Sequence, residues 1–574
     1  MTSARLSLFR DLFSPAELLM VVGVLFVILW APVRYTNSDM LGTLLVSQTI
    51  LEDRTVRLDA HVDDDFERTY SYRVRRKGEH WYHYFPMGSQ VFAVPYVATL
   101  RLAKQDMADP RKDENAQLGL CALLVATIAL VLVRTGRMLV STPEAVGIGT
   151  IAVLGGPLAS TAGTALWSSV FTALFVALAL HEVVRFETGR GDVRPPWLCF
   201  VLFAAYLCRP TAALFVLAML IYAASRGRRL LLSVGGWAFG FLLVFVVFSL
   251  WEFGQVLPDY YAASRVGGVP ELEALWGNIA SPSRGLLVYA PHVAIVTGIA
   301  VAARVHGRLV ALIVGWAAAH WLVISTFQPW WGGSCFGPRF FTEVFPGFAL
   351  LAFVALRAGR EWKLAGSRFI ALTVICVLAL FAVYANTARG LYEPVTAKWN
   401  WSWPHSQSSE YLFDWRFPQF AYTEQSHAER ERYYTVARLP ALTVPLTIRP
   451  RDEEVYLTDW HRQEEQGRWS RARGSRITFK LGALDPAVQE YELLLDGFVL
   501  QEQRIKLRIN GRLVSSQLYR NREAWPPTTV PAYVLRPNEL NVIRFGCPRA
   551  VGPGGGDTRV MGVFLKRLQI RVPE

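Results

Sequence analysis

The chain has 574 residues, of which 52% are hydrophobic and only 18% charged, and it carries a formal net charge of +13. A soluble globular domain carries about a quarter of its residues as charges, so this composition, with a mean hydropathy of +0.26, excludes an ordinary soluble protein. The positive charge does not point to nucleic acid, because many basic residues stand in short clusters between apolar runs, where membrane topology accounts for them.

A bilayer core is about 30 Å thick and a helix rises about 1.5 Å per residue, so apolar runs of about 18 residues read as spans. The first is "AELLMVVGVLFVILWAPV" at 16–33. It follows the basic "MTSARLSLFR" and ends without a small-residue cleavage site, so it is expected to stay as a span.

The loop at 34–115 opens with "RYTNSDMLGTLLVSQTILEDRTVRL". Ser38 is expected as a helix N-cap with Asp39 in the first turn. Met40, Leu41, Leu44, Leu45 and Gln48 then give the helix an apolar side for the membrane surface. Asp39 either complements the helix dipole or serves as a catalytic carboxylate at the membrane boundary. Further on, Asp63, Asp64 and Asp65 read as a solvated turn rather than a metal site. Asp59, His61, Glu79, His80 and His83 are candidate pocket or cation ligands, but their spacing matches no closed zinc pattern. "FPMGSQVFAVPY" is expected as an interfacial or re-entrant helix, because one more span there would reverse every later loop.

Ten further spans follow, at about 116–134, 143–159, 165–183, 196–208, 211–224, 230–250, 286–303, 308–326, 340–357 and 368–387. Those at 196–208 and 211–224 are short and flank "CRP", so one kinked helix is the alternative. With the N-terminus inside, the inside loops are "RTGR", "RFETGRGDVR", "SRGRRL", "RVHGR" and "RAGREWKLAGSR". All are short and basic, as cytoplasmic loops are, and the alternation holds with eleven spans. The outer side then receives the 34–115 loop, the 251–285 loop, the link "WWGGSCFGPRFF" at 330–341, and the C-terminal region.

Arg284 in "SPSRGLL" and Arg339 in "CFGPRFF" each stand at the mouth of a span. Arginine at a helix start opposes the dipole but suits an anion, and guanidinium pairs with phosphate in bidentate fashion. The glycines of the link admit close backbone approach, and Trp330 and Trp331 suit a membrane interface. An aromatic belt with headgroup-binding arginines is the plainer account. Of six cysteines, Cys121, Cys199, Cys208 and Cys376 lie in or beside apolar runs, and a Cys335–Cys547 disulfide is not expected.

Residues 391–440 read as a tryptophan-rich linker and 441–574 as an all-β sandwich, from period-2 runs such as "RITFKLG", "YELLLDGFV" and "LNVIRFGCP". Asn510-Gly511 is a hairpin signal.

The features of residues 10–390 together resemble the GT-C class of membrane glycosyltransferases, which includes protein O-mannosyltransferases, aminoarabinose transferases of lipid A and RgtA-like bacterial transferases. The resemblance rests on the first span followed by "NSDM", the long outer loop with "YHYFPMGSQVFAVPY", "RTGR", the "LCRPTA" hairpin, "SPSRGLLVYAP" and "WWGGSCFGPRFFTEVFP". It implies a GT-C-like polytopic α-helical domain at 1–390 that moves a sugar from a polyprenyl-phosphate donor to a glycan, lipid or protein acceptor outside the membrane, usually with inversion. Asp39 matches the family's catalytic base, and Arg284 and Arg339 would stabilise the leaving phosphate. Asp39 stands alone rather than in an acidic pair; Asp59 or Asp63 to Asp65 are candidates for a second carboxylate. Some members of the class need a divalent cation (Mg or Mn) and others do not, so the metal stays unknown. "DWHRQEEQGRWS" and "GGGDTRVMGV" resemble carbohydrate-binding-like sandwiches, which marks Trp460, Trp469, Asp557 and Arg559 as glycan-handling candidates. The expected location is a bacterial inner membrane, with a cytoplasmic N-terminus and a periplasmic or extracellular β-domain. The competing readings are a non-catalytic transporter of lipid-linked glycan and a glycan-binding membrane protein. A transporter places ionisable groups near the midplane, where His181 and Arg209 are the candidates here.

Overall fold

A computed structural model describes residues 14–262, 268–360, 365–400, 409–431, 433–434, 439–461, 463–471, 474–520, 525–551 and 560–573. The chain divides into two units, Met1–Glu424 and Gln425–Glu574.

The first unit is helical. Among the described residues six helical stretches are long and apolar enough to cross a membrane: Pro110–Gly136, Ser168–Glu187, Arg228–Phe253, Gly307–Ile324, Arg339–Gly359 and Arg368–Arg389. Five shorter apolar stretches accompany them: Pro15–Leu29, Thr142–Leu154, Pro195–Cys208, Pro210–Arg226 and His292–Ala303. The outer helices turn apolar side chains outward. In α1 (Pro15–Leu29) one stripe, Met20, Val24 and Ile28, is buried, while Leu19 is 76% and Phe26 59% exposed. That pattern suits lipid and would be costly in water. The start of α1 is fixed by a capping box between Ser14 and Glu17, and the buried Glu17 also accepts from Arg137 of "RTGR" at 2.9 Å.

Three helices frame the region that matters below: α2 (Thr43–Asp53), α3 (Gly88–Leu102) and α4 (Pro110–Gly136). Residues 43–49 of α2 are all buried, so α2 is an interior helix rather than one lying along the membrane surface. The stretch "FPMGSQVFAVPY" forms the 15-residue α3, which packs on α2. The "CRP" stretch separates two helices: Arg209 adopts an extended backbone (φ −155°, ψ 121°) before Pro210, which disfavours helix at the preceding residue. A small antiparallel hairpin, β1 (Val74–Lys77) and β2 (His80–His83), completes the first long loop.

The second unit is β-rich. With β3 at Ala441–Leu442, β4 at Leu446–Ile448, β5 at Tyr456–Thr458, β6 at Arg468–Arg471 and β11 at Thr528–Pro531, one sheet among the described residues has the order β10-β9-β12-β7-β3, with β5 also on β7; the other has β11-β8-β13-β4, with β6 also on β13. The strands used below are β7 (Ser475–Leu481), β8 (Glu490–Val499), β9 (Gln503–Ile509), β10 (Arg512–Tyr519), β12 (Leu540–Gly546) and β13 (Met561–Arg571). Pairing is antiparallel except for β3 on β7. Strict alternation builds the interior: Ile505, Leu507 and Ile509 of β9 share one core with Leu493 of β8 and Leu568 and Ile570 of β13. Asn510 (φ 50°) and Gly511 (φ 85°) form the two-residue turn between β9 and β10, the positive-φ geometry that Asn-Gly favours.

Candidate functional site

After α1 the chain runs between later segments, with Val33 N donating to Leu391 O (3.1 Å) and Tyr35 N to Thr164 O (3.0 Å). It then makes an irregular turn over residues 37–42 before α2 begins. Ser38 is not the N-cap and Asp39 is not in the first turn. The N-cap is Gly42, whose φ of +88° a side chain rarely adopts. Its N–H donates to Asp113 Oδ2 at 2.6 Å. Asp113, fully buried near the start of α4, thus supplies the hydrogen-bond acceptor that the N-terminus of α2 requires. Asp39 is left without that structural duty.

Arg73 and His83 hold the turn around Asp39. The Arg73 guanidinium donates to Ser38 O, to Asn37 O (3.2 Å) and Oδ1 (3.1 Å), and to Tyr70 O (3.4 Å). His83 Nε2 donates to Leu41 O at 3.1 Å and its Nδ1 accepts from Gln90 Nε2 at 2.9 Å. Burial pushes the His83 imidazole down to about 4, so it is a neutral, permanent brace at physiological pH.

The Asp39 carboxylate accepts from the Tyr72 hydroxyl at 3.1 Å and from Arg339 Nη2 at 2.8 Å. Partial burial, reinforced by the Asp39 charge, raises the Tyr72 hydroxyl above its ordinary range, so it stays a donor. The Asp39 and Arg339 side chains are 22% and 15% exposed. The pair is therefore sheltered yet reachable. Arg339 also donates from Nη1 to Gly332 O at 2.9 Å, and its guanidinium lies 3.6 Å from the ring centre of Trp167. The structure thus joins two of the residues singled out in the sequence, Asp39 and Arg339.

Arg284 has a different place. It is 2% exposed, and all five of its N–H donors are engaged. They reach Trp331 O (3.1 Å), Ser283 O (2.7 Å), Gln419 Oε1 (2.5 Å), Gly333 O (3.3 Å) and Asn400 Oδ1 (2.9 Å). With no donor left for a phosphate, it pins the loop instead of binding an anion. Arg284 grips the carbonyls of Trp331 and Gly333, and Arg339 takes the carbonyl between them. Gly332 (φ +74°) and Gly333 (φ +70°) allow the backbone to present these carbonyls in turn. Trp330 is buried rather than interfacial, with Nε1 donating to Glu273 at 3.0 Å and its ring filling the space beside Gly277. Trp331 is half-buried. The composition of "WWGGSCFGPRFF" is thereby explained: one tryptophan anchors it, the glycines shape it, and Arg339 projects from it to Asp39.

The remaining candidates form other groups. Asp59 accepts from His80 Nδ1 (2.6 Å) and Trp81 N (2.7 Å). His80 Nε2 lies 3.1 Å from Arg57, which pairs with Glu252 at 2.7 Å. Tyr82 donates to the same Glu252 at 3.0 Å, and burial together with that carboxylate pushes its hydroxyl up to about 12. Asp63 sits in an exposed turn, with its carboxylate accepting from Asp65 N, and Glu79 is exposed at the tip of the β1–β2 hairpin. Among the described residues no three His, Cys, Asp or Glu side chains gather as metal ligands. Asp39 faces a guanidinium and a phenol, a donor set that does not fit a divalent cation.

In the second unit Trp460 and Trp469 are buried, against Phe545 and against Phe498 and Phe564 respectively, so neither offers a face to a sugar ring. Asp557 and Arg559 lie outside the described residues. The six cysteines are free. Within the helices, Arg209 pairs with the buried Glu343 at 2.9 Å, and His181 Nδ1 lies 2.9 Å from Thr135 Oγ1.

Sequence reasoning missed Tyr72, Arg73, Asp113, Asn400 and Gln419. Arg73 lies in "YRVRRK", where its neighbours make it look like one more surface charge. Asn400 lies in "KWNWSW", and a run so rich in tryptophan is itself a sign of packing rather than of a solvated linker. No family model matches the chain, and no curated protein is significantly similar to it.

Proposed function

We propose that the protein is a membrane glycosyltransferase of GT-C type that moves a sugar from a polyprenyl-phosphate donor to a surface glycan, lipid or protein acceptor. The observation that carries this reading is the sheltered Asp39–Arg339 pair, a carboxylate 2.8 Å from a guanidinium, groups whose chemistry suits a base and a phosphate ligand. In the proposed reaction the donor phosphate draws Arg339 from Asp39, which leaves the carboxylate available as base. The acceptor hydroxyl oxygen attacks the anomeric carbon and its proton passes to Asp39. The bond from that carbon to the phosphate oxygen breaks, and the phosphate keeps the electron pair and gains negative charge beside Arg339. No acid is needed, since the lipid phosphate is already a good leaving group. Tyr72 holds Asp39 in place, and Trp167 backs Arg339.

The reading includes eleven spans, formed by the six long and five shorter apolar stretches, in a bacterial inner membrane. The basic inter-helix loops then lie inside, and the pair and the two-sheet C-terminal sandwich lie outside. The test is mass spectrometry of surface glycans and polyprenyl-linked sugars in a deletion strain carrying wild type or Asp39→Asn. Loss of one sugar from a glycan, with build-up of its lipid-linked form in both the deletion and Asp39→Asn, supports the transferase. A wild-type profile from Asp39→Asn sinks it and leaves transport or glycan binding.

A further inference from the structure

The outward face of one sheet in the C-terminal unit carries a basic row without counter-charges. Along β9, the residues alternating with the buried ones are Arg504, Lys506 and Arg508, all exposed. The register sets Arg508 opposite Arg544 of β12, and Arg544 opposite Arg476 of β7. Three adjacent strands, about 4.8 Å apart, thus carry three exposed arginines in one line. Lys480 of β7 extends the same face.

Like charges directly opposite one another weaken a sheet. The other sheet avoids this. There the register sets Arg567 opposite Asp496 and Arg571 opposite Glu492, and both pairs form ion pairs, at 3.5 and 2.8 Å. On the basic face, Arg504 and Arg508 each donate to one backbone carbonyl, of Ser516 and Gly511 at 3.1 Å. Among the described residues none of the six basic side chains is in an ion pair. The edge strand β10 adds two exposed leucines to this face: Leu513, 51% exposed, opposite Arg508, and Leu518, 46% exposed, opposite Arg504.

We propose that this face docks on the anionic lipid headgroups of the membrane that holds the helical unit. The charges match in sign, and a flat array of cations mixed with exposed leucines has the chemistry of an interfacial membrane contact. The chain supplies proximity. The run from Glu424 to Ala441 spans at most roughly 60 Å, so the face meets lipid at a high effective concentration. The exposed apolar residues are leucines, not the aromatic rings that stack on sugars, which favours lipid over a glycan. The inference does not draw on the transferase reading.

The test uses the full chain in lipid nanodiscs. Ser516→Cys, on this face opposite Lys506, is labelled with a fluorophore in a Cys376→Ala background, since the other native cysteines are buried. A headgroup spin label quenches the fluorophore on contact. Discs of phosphatidylcholine alone are compared with discs containing one-third phosphatidylglycerol. The expected result is several-fold stronger quenching in the anionic discs, lost at high salt and lost in Arg476→Gln/Arg508→Gln/Arg544→Gln. Equal quenching in both lipids overturns the proposal. So does a label that responds only to a soluble acidic polysaccharide, which would make the face a glycan reader. If the triple variant fails to fold, the comparison of the two lipids with the unaltered face still decides.

Discussion

Arg284 and Arg339 each stand at the start of an apolar run in the sequence, and their surroundings give them opposite characters. Arg339 shares its charge with a partly exposed carboxylate, whereas Arg284 spends every donor on buried carbonyls and amides. Arg284→Met would leave those acceptors unpaired and should cost about 3 to 5 kcal/mol, with a lowered melting temperature in detergent. An unchanged melting temperature would show that the network does not hold the loop. His83 supplies a pH signature. Its pKa falls from 6.5 unfolded to about 4 folded, so between those values the unfolded chain binds the extra proton. Stability is then complete above pH 6.5 and declines as pH falls toward 4, by about 3 kcal/mol in total. Thermal unfolding across this range should slope more steeply for wild type than for His83→Gln; identical slopes would remove His83 as the cause.

Periodicity and charge made the elements readable. The period-2 runs became strands, the Asn-Gly pair became the β9–β10 turn, and the short helix at "FPMGSQVFAVPY" is α3. The start of α2 was not readable, because its cap comes from Asp113, 71 residues away, and no local pattern records a partner at that distance. The same holds for Arg284, whose partners Asn400 and Gln419 lie more than a hundred residues on. Sequence shows which residues want partners; packing decides which ones they find. Close packing also sets a test at the level of elements. A Cβ on Gly88, the first residue of α3, would stand 2.4 Å from the backbone nitrogen of Cys208. Gly88→Ala should force the two helices apart and cost about 1 to 3 kcal/mol, read as a lower melting temperature. A neutral result would mean that the helices can slide at no cost.

At the scale of the molecule, the two units have separate cores, one in the helices and one among the strands of the β-rich unit. Calorimetry of the full chain should therefore show two transitions, with Arg284→Met moving only one of them; a single transition would mean that the units unfold as one. The network around Arg284 has a further consequence for how the protein is made. Asn400 and Gln419 lie beyond the last long apolar stretch, Arg368–Arg389, yet they complete the grip on the loop that presents Arg339. During synthesis the long apolar stretches named above all leave the ribosome before these two residues do. A nascent chain that has released Arg368–Arg389 but not yet Asn400 and Gln419 therefore lacks two of the side chains that grip the loop from which Arg339 reaches Asp39, and the last part of that grip is added only as the C-terminal end of the helical unit emerges.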